Sequence, residues 1–358
     1  MLNADIISAL EDFAPASLQE SWDNTGVQVG SLRTECTGVL LCVDVTPAVV
    51  DEARQRGCSL IISHHPLIFR GLKRISGNTP VEEAVIRAIS YGITVYSCHT
   101  AVDSTRGGIS YRMADMLGAK PVRVLSPLKD RRVKVTAAVS QSAADTALAV
   151  FSEIAGDRQC FASPCNGVNF HTDAGDPFGS TTSDLAPALR IEATVSVDSS
   201  ASLRQKLSES VGDAMLAFDL LPAADTDSSL GLGIYALLDT PLSGRELVER
   251  VKSAFGSPVA RCTALPDDDI PIRRIALCGG SGSEFISAAL RAGAQAFITS
   301  DTRYHDFVDY QNEILIIDIG HFESESCAKE IFYKVIREKF PNFACYYSEI
   351  EENPIKYI

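Results

Sequence analysis

In the first third of the chain, short unbroken apolar runs alternate with stretches whose apolar residues recur every third or fourth position. "GVLLCVDVT" (38–46), "CSLIISHHP" (58–66) and "ITVYSCHT" (93–100) read as buried strands. "PAVVDEARQRG" (47–57) and "PVEEAVIRAISYG" (80–92) read as helices, each with proline near its start and glycine past its end. The alternation predicts a parallel or mostly parallel sheet covered on both faces.

The last third repeats the style. "IRRIALCGGSG" (272–282) predicts a strand and a glycine turn, "SEFISAALRAG" (283–293) a helix, and "AQAFITSD" (294–301) a strand. A helix over "TRYHDFVDYQNE" (302–313), a strand over "ILIIDIG" (314–320) and one long amphipathic helix over 321–340 follow. The middle differs. From about Arg131 to Leu221 the pattern predicts strand, helix, a loop with a short strand near Asn166 to Phe170, strand, helix and strand. That is the β-α-β-β-α-β order of a ferredoxin-like unit. Loops rich in Pro, Asp and Ser bound it, "SPLKD" before and "PAADTDSS" after. The expected organisation is an α/β core of two lobes, 1–126 and 229–358, with an α+β domain inserted at 127–228.

Length and composition narrow the classes. A chain of 358 residues, 46% hydrophobic and 22% charged, is long enough for two or three domains without disulfide or metal staples. A net charge of −14 argues against nucleic acid or an anionic membrane surface as the main partner. No apolar run approaches the roughly 18–20 residues of a membrane span, and the N-terminal stretch lacks the basic start of a secretory signal. Ten scattered cysteines without a C-x-x-C pair read as reduced thiols, and the expected location is cytoplasmic.

Chemistry-bearing residues collect where strands end, which is where ligands sit in such sheets. "SHHP" supplies His64 and His65, "CHTAVD" supplies His99 and Asp103, and "DIGHFESE" supplies His321 and Glu325. His321 and Glu325 stand at i and i+4, on one face of a helix, while Glu323 points elsewhere. Neighbours on a strand face opposite sides, so His64 and His65 suit two metal ions better than one. An aspartate such as Asp103 has two oxygens with which to bridge such a pair. Imidazole with carboxylate suits zinc foremost, or iron or manganese, but not calcium. Two such ions roughly 3.5–4 Å apart activate water and stabilise charge on the group under attack. A lone histidine at a strand end is more often an ordinary hydrogen-bonded residue; several converging segments shift the balance towards metal. His171 in the middle domain has no such company. "GGSGSEF" lacks the third glycine of a dinucleotide fingerprint and reads as a tight turn whose amides suit an anion.

As a set, "SWDNTGVQVG", "IISHHPLIF", "HTAVDS", "CGGSG", "ITSDTRYHD" and "IDIGHFESE" resemble the Nif-three-like family, dinuclear metal-centre proteins also called GTP cyclohydrolase I type 2 homologues. The resemblance covers about the first 125 and the last 130 residues. The middle is similar to small trimeric proteins of the P-II and CutA type. The resemblance implies two divalent ions per chain, held by His64, His65, Asp103 in a bridging role, His321 and Glu325, with His99 as a further ligand or a supporting residue. It also implies a ring-shaped homohexamer with metal sites facing an internal cavity. Ser300 departs from the family's usual glycine. The implied activity is hydrolytic opening of the guanine ring of GTP with loss of formate, or more broadly metal-dependent hydrolysis of a nucleotide or other phosphorylated small molecule. His305 and Asp306 are the candidates for proton transfer, and Arg70, Lys73 and Arg303 for phosphate. The alternative is a regulatory or metal-handling protein whose inserted domain binds a small effector.

Overall fold

Threonine–proline pairs set the rhythm of the first lobe. Thr46 Oγ1 accepts a hydrogen bond from Val49 N at 3.2 Å, and Thr79 Oγ1 accepts one from Glu82 N at 3.2 Å. Each caps a helix whose first residue is proline, Pro47–Gln55 and Pro80–Tyr91. A computed structural model describes residues 1–129, 132–155, 160–172, 181–223, 229–267 and 269–358. They form two compact units, Met1–Pro127 with Ser228–Ile358, and Leu128–Asp227.

In the first unit, β1 (Gly26–Val29), β2 (Val39–Cys42), β3 (Leu60–Ser63) and β4 (Thr94–Ser97) build one sheet. β2, β3 and β4 run parallel and are buried throughout, because both faces are covered. The two proline-started helices pack Val49, Val50, Ala53, Ala84, Val85 and Ala88 on Leu40, Cys42, Ile61 and Val95. A long strand, β5 (Ala119–Pro127), leads out of this lobe.

The second unit holds β6 (Arg132–Ser140), β7 (Cys160–Thr172), β8 (Thr181–Ser196) and β9 (Met215–Pro222) in the order β7-β8-β6-β9, antiparallel throughout. Helices Ala144–Ala155 and Val197–Val211 share its core, which includes Val135, Val139, Phe151, Ile191, Leu203 and Leu207. This is the ferredoxin-like arrangement. The short strand expected near Asn166–Phe170 is a long one, Cys160–Thr172, paired with β8 along its whole length. Its sequence carries Pro164, Asn166 and Gly167, which hide the apolar alternation; an edge strand tolerates them.

The remaining strands are β10 (Gly231–Leu242), β11 (Arg261–Cys262), β12 (Ile272–Ser281), β13 (Ala296–Ser300), β14 (Leu315–Asp318) and β15 (Cys345–Tyr347). The second sheet has the order β11-β14-β13-β12-β10-β5, with a parallel centre of β12, β13 and β14 between antiparallel flanks. β15 returns to the first sheet and pairs with β2. The long helix expected over 321–340 is two helices, His321–Glu325 and Ala328–Lys339. Ser324 Oγ donates to His321 O at 2.8 Å and Ser326 Oγ to Glu323 O at 3.2 Å, competing with amides for carbonyls where the helix breaks. Among the described residues no helix is long and apolar enough to cross a membrane.

Candidate metal centre

The parallel centres of both first-unit sheets end at one cavity of about 580 Å³, lined by His65, His99, Asp103, His321 and Glu325 together with Trp22, Phe69 and Phe285. His64 and His65 follow β3 directly, and Asp103 lies on the short helix Thr100–Ser104 after β4. His321 and Glu325 occupy the helix after β14, entered through Gly320 at φ 93°. The conformation there is left-handed, which glycine adopts without penalty.

Glu325 stands between the histidines. Its Oε2 lies 2.9 Å from His65 Nε2 and 3.0 Å from His321 Nε2, and its Oε1 lies 3.5 Å from His64 Nε2. His64, Asp103 and Glu325 therefore offer one group of donor atoms, and His65, His321 and Glu325 another; His64, His65 and His99 form a third. Glu325 is common to the first two groups and by proximity stands between them, whereas Asp103, to which the resemblance gives a bridging role, reaches only the first.

Each of the four imidazoles is held from behind. Asp44 Oδ1 lies 2.9 Å from His65 Nδ1, Asp23 Oδ1 2.7 Å from His99 Nδ1, and Asp301 Oδ2 2.7 Å from His321 Nδ1. His64 Nδ1 lies 3.2 Å from Cys98 O. A carbonyl only accepts, so His64 carries its proton on Nδ1 and turns a lone pair on Nε2 towards the site. This is the carboxylate–histidine support typical of metal ligands. The fit is carried by two atoms. His64 Nε2 and Asp103 Oδ1 are buried without a hydrogen-bond partner, 3.9 Å apart. Unsatisfied buried polar atoms are rare and costly, and a divalent cation between them would satisfy both.

Electrostatics agree. Burial pushes the His64 ring down in pKa, keeping it neutral, and pushes the Asp103 carboxyl well up, with the Glu325 charge adding to the rise. Burial opposes charge on His65 too, but hydrogen bonds to Asp44 and Glu325 outweigh it and push it up to about 10. The same contest, with Glu325 and Asp301 as partners, raises His321 to about 9. Without metal, the folded chain thus holds protons near neutral pH that the unfolded chain releases. Stability from these histidines is complete below the ordinary value of 6.5 and is lost as pH rises through about 9 to 10. Metal-free protein is expected to show a falling Tm from pH 7 to 10 in calorimetry; a flat profile refutes the charge assignment. Metal loading at neutral pH is expected to release protons.

Asp301 takes φ 55° and is the sole non-glycine with positive φ among the described residues. That conformation costs roughly 1 kcal/mol, though aspartate bears it better than most residues. It is stabilised here by the bond to His321. Neighbouring Ser300, fully buried, donates from Oγ to Gly280 O at 2.5 Å, so a hydroxyl stands where the resemblance implies a glycine. Asp301→Ala is expected to weaken metal affinity about 10–100-fold, as read by chelator competition; unchanged affinity would remove Asp301 from the site.

Other sequence candidates lie elsewhere. Arg70, Lys73 and Arg303 are exposed and absent from the cavity lining. Asp306 Oδ2 accepts from Arg303 N at 2.7 Å and so caps a helix, and His305 stacks edge-on against Tyr304 at the surface. The side chain of His171 lies outside the described residues. Asp44 and Asp23 join the site as positioning groups beyond those the sequence predicts, although "CVDVT" and "SWDN" set both beside it. Trp22 and Phe69 join it likewise as cavity walls.

A model of the family Duf34/NIF3 (NGG1p interacting factor 3) matches residues 1–354. A Halalkalibacterium halodurans protein named GTP cyclohydrolase 1 type 2 homolog is 30% identical over 366 residues, 99% of this chain and 98% of that one. A Mycobacterium tuberculosis protein of the same name is 29% identical, covering 90% of this chain and 88% of its own length. Among solved structures, a Bacillus cereus protein related to NIF3 superposes with TM-score 0.85 at 26% identity, over 100% of this chain and 99% of that one.

Proposed function

The chain belongs to the Duf34/NIF3 family, and on that premise we propose that it is a dinuclear-metal hydrolase acting on a small molecule. The orphaned pair His64 Nε2 and Asp103 Oδ1 is the observation that carries the reading. His64, Asp103 and Glu325 would hold one divalent ion and His65, His321 and Glu325 the other, with zinc first by donor chemistry and iron or manganese as alternatives. Such ions supply Lewis acidity and an acidified water.

The chain's own residues do the positioning. Asp44, Asp301 and the Cys98 carbonyl fix the ring orientations of His65, His321 and His64. Asp23 holds His99, and is itself fixed by Thr100, whose amide and hydroxyl donate to Oδ2 at 3.0 and 2.6 Å. His99, outside the two groups joined by Glu325, is the ring placed to hold or move a proton beside them. The names of the relatives offer GTP as a first substrate to try, with release of formate as its readout.

Elemental analysis of gently purified protein is expected to find about two ions per chain. Fewer than one would sink the dinuclear reading. Turnover by the loaded protein, absent after chelation, separates the hydrolase from a metal-handling protein, which would bind ions and effector without turnover.

A further inference from the structure

The metal groups occupy one part of their cavity; the rest of its wall is aromatic. Trp22 is 58% exposed and Phe69 49% exposed, although both line the cavity. Their centroids are 6.0 Å apart, and each makes a T-shaped contact with the His99 ring, at 5.9 and 6.3 Å. Large aromatic rings left half in water beside a polar centre leave ring surface for a flat partner to cover. The rest of the lining contributes Leu232, Phe285 and the hydroxyl residues Ser110 and Ser281.

Charge narrows the partner further. No lysine or arginine is among the residues that line the cavity, whereas Asp103, Glu284 and Glu325 are. Glu325 is engaged with histidines, but Glu284 has no hydrogen bond or ion pair among the described residues. A free carboxylate accepts N–H donors and repels phosphate, and the arginines that give bidentate phosphate contacts are missing.

We propose that the cavity takes an unphosphorylated planar nitrogen heterocycle, its ring against Trp22 and Phe69 and its N–H edge on the Glu284 carboxylate. The proposal deepens the hydrolytic reading above and rests on it for the fate of the bound ring. It departs from a nucleoside triphosphate as the ligand: outside the donor groups the wall has no lysine or arginine to hold the phosphates, and the Glu284 carboxylate repels them.

Trp22 is the sole tryptophan in the chain, so its fluorescence reports on this wall alone. Metal-loaded full-length protein is titrated with guanosine, adenosine, a 2-amino-4-oxopteridine and GTP. At least one of the three unphosphorylated rings is expected to quench saturably, with GTP about tenfold weaker or more. Glu284→Gln is expected to weaken that ring about tenfold, with metal content and Tm unchanged. Calorimetry on Trp22→Ala is expected to show a similar loss. Quenching by none of the three rings, binding of GTP as tight as that of the rings, or an unaffected Glu284→Gln variant would each overturn the proposal. Assays of turnover on the same samples keep the two readings apart. Ring binding without turnover of any compound supports the ring site and sinks the hydrolase; turnover of tightly bound GTP does the reverse.

Discussion

On the dinuclear reading, Glu325→Ala is expected to cost both metal ions at once, not one. Glu325 is the carboxylate common to the two donor groups, with one oxygen towards His64 and the other between His65 and His321. Its removal leaves two donors on each side, and two protein donors rarely hold a divalent ion against buffer. Metal content should fall from about two ions per chain to less than one. The stability that bound ions add goes with them, about 4 kcal/mol where free metal stands at a thousand times its Kd. Chelation of the wild-type protein should reproduce most of the drop in Tm, and the variant should gain nothing from added metal. Two ions retained in the variant would refute the shared role. The neighbourhood is unforgiving by design: Gly280 has φ 62°, and a Cβ there would overlap Glu325 Oε1, so Gly280→Ala is expected to move Glu325 and lower metal content as well.

The second large effect is expected far along the chain. The Glu351 side chain is 3% exposed, and its Oε1 accepts from Val43 N at 2.6 Å and Asp44 N at 2.7 Å. Its Oε2 meets Lys329 Nζ at 2.6 Å. Glu351→Ala therefore strands a largely buried ammonium and two amides together, a change that typically costs about 3–5 kcal/mol. It also loosens the backbone that carries Asp44, the group behind His65. The expected result is a lower midpoint in denaturant with weaker metal affinity, whereas Lys329→Met should lower stability less, because Glu351 keeps its two amide donors. Equal stability of Glu351→Ala and wild type would show that the tail is not anchored through this carboxylate.

The parts of this fold that were legible in the sequence are those with a strong local signal. Buried parallel strands are short apolar runs, and Thr-Pro and Gly mark the ends of the helices between them. The inserted unit showed its element order for the same reason. Features set by distant pairing were harder to read. β7 is long because β8 offers backbone partners along its length, not because of its own composition. The break after Glu325 depends on serine hydroxyls that propensity treats as mildly unfavourable and no more. At the centre, metal-ligating residue types at strand ends were readable one by one. Asp44 and Asp23 were not, since an aspartate in a turn has no mark to distinguish a support from a cap, and only the distances to His65 and His99 do so.

The order of strands in the first sheet has a consequence for synthesis. Its edge strand β15 pairs with β2 but is made some 300 residues later, and the helix Ala328–Lys339 that packs beside β2 is equally late. His65 and Glu325 are 260 positions apart. At about 5–20 residues per second, the nascent first lobe waits on the order of tens of seconds with an unpaired edge and two histidines that lack their counter-charge. Ribosome-bound chains stopped before residue 315 are expected to resist neither protease nor chelator, and metal capture is then a late event, dated by the emergence of Glu325 from the exit tunnel.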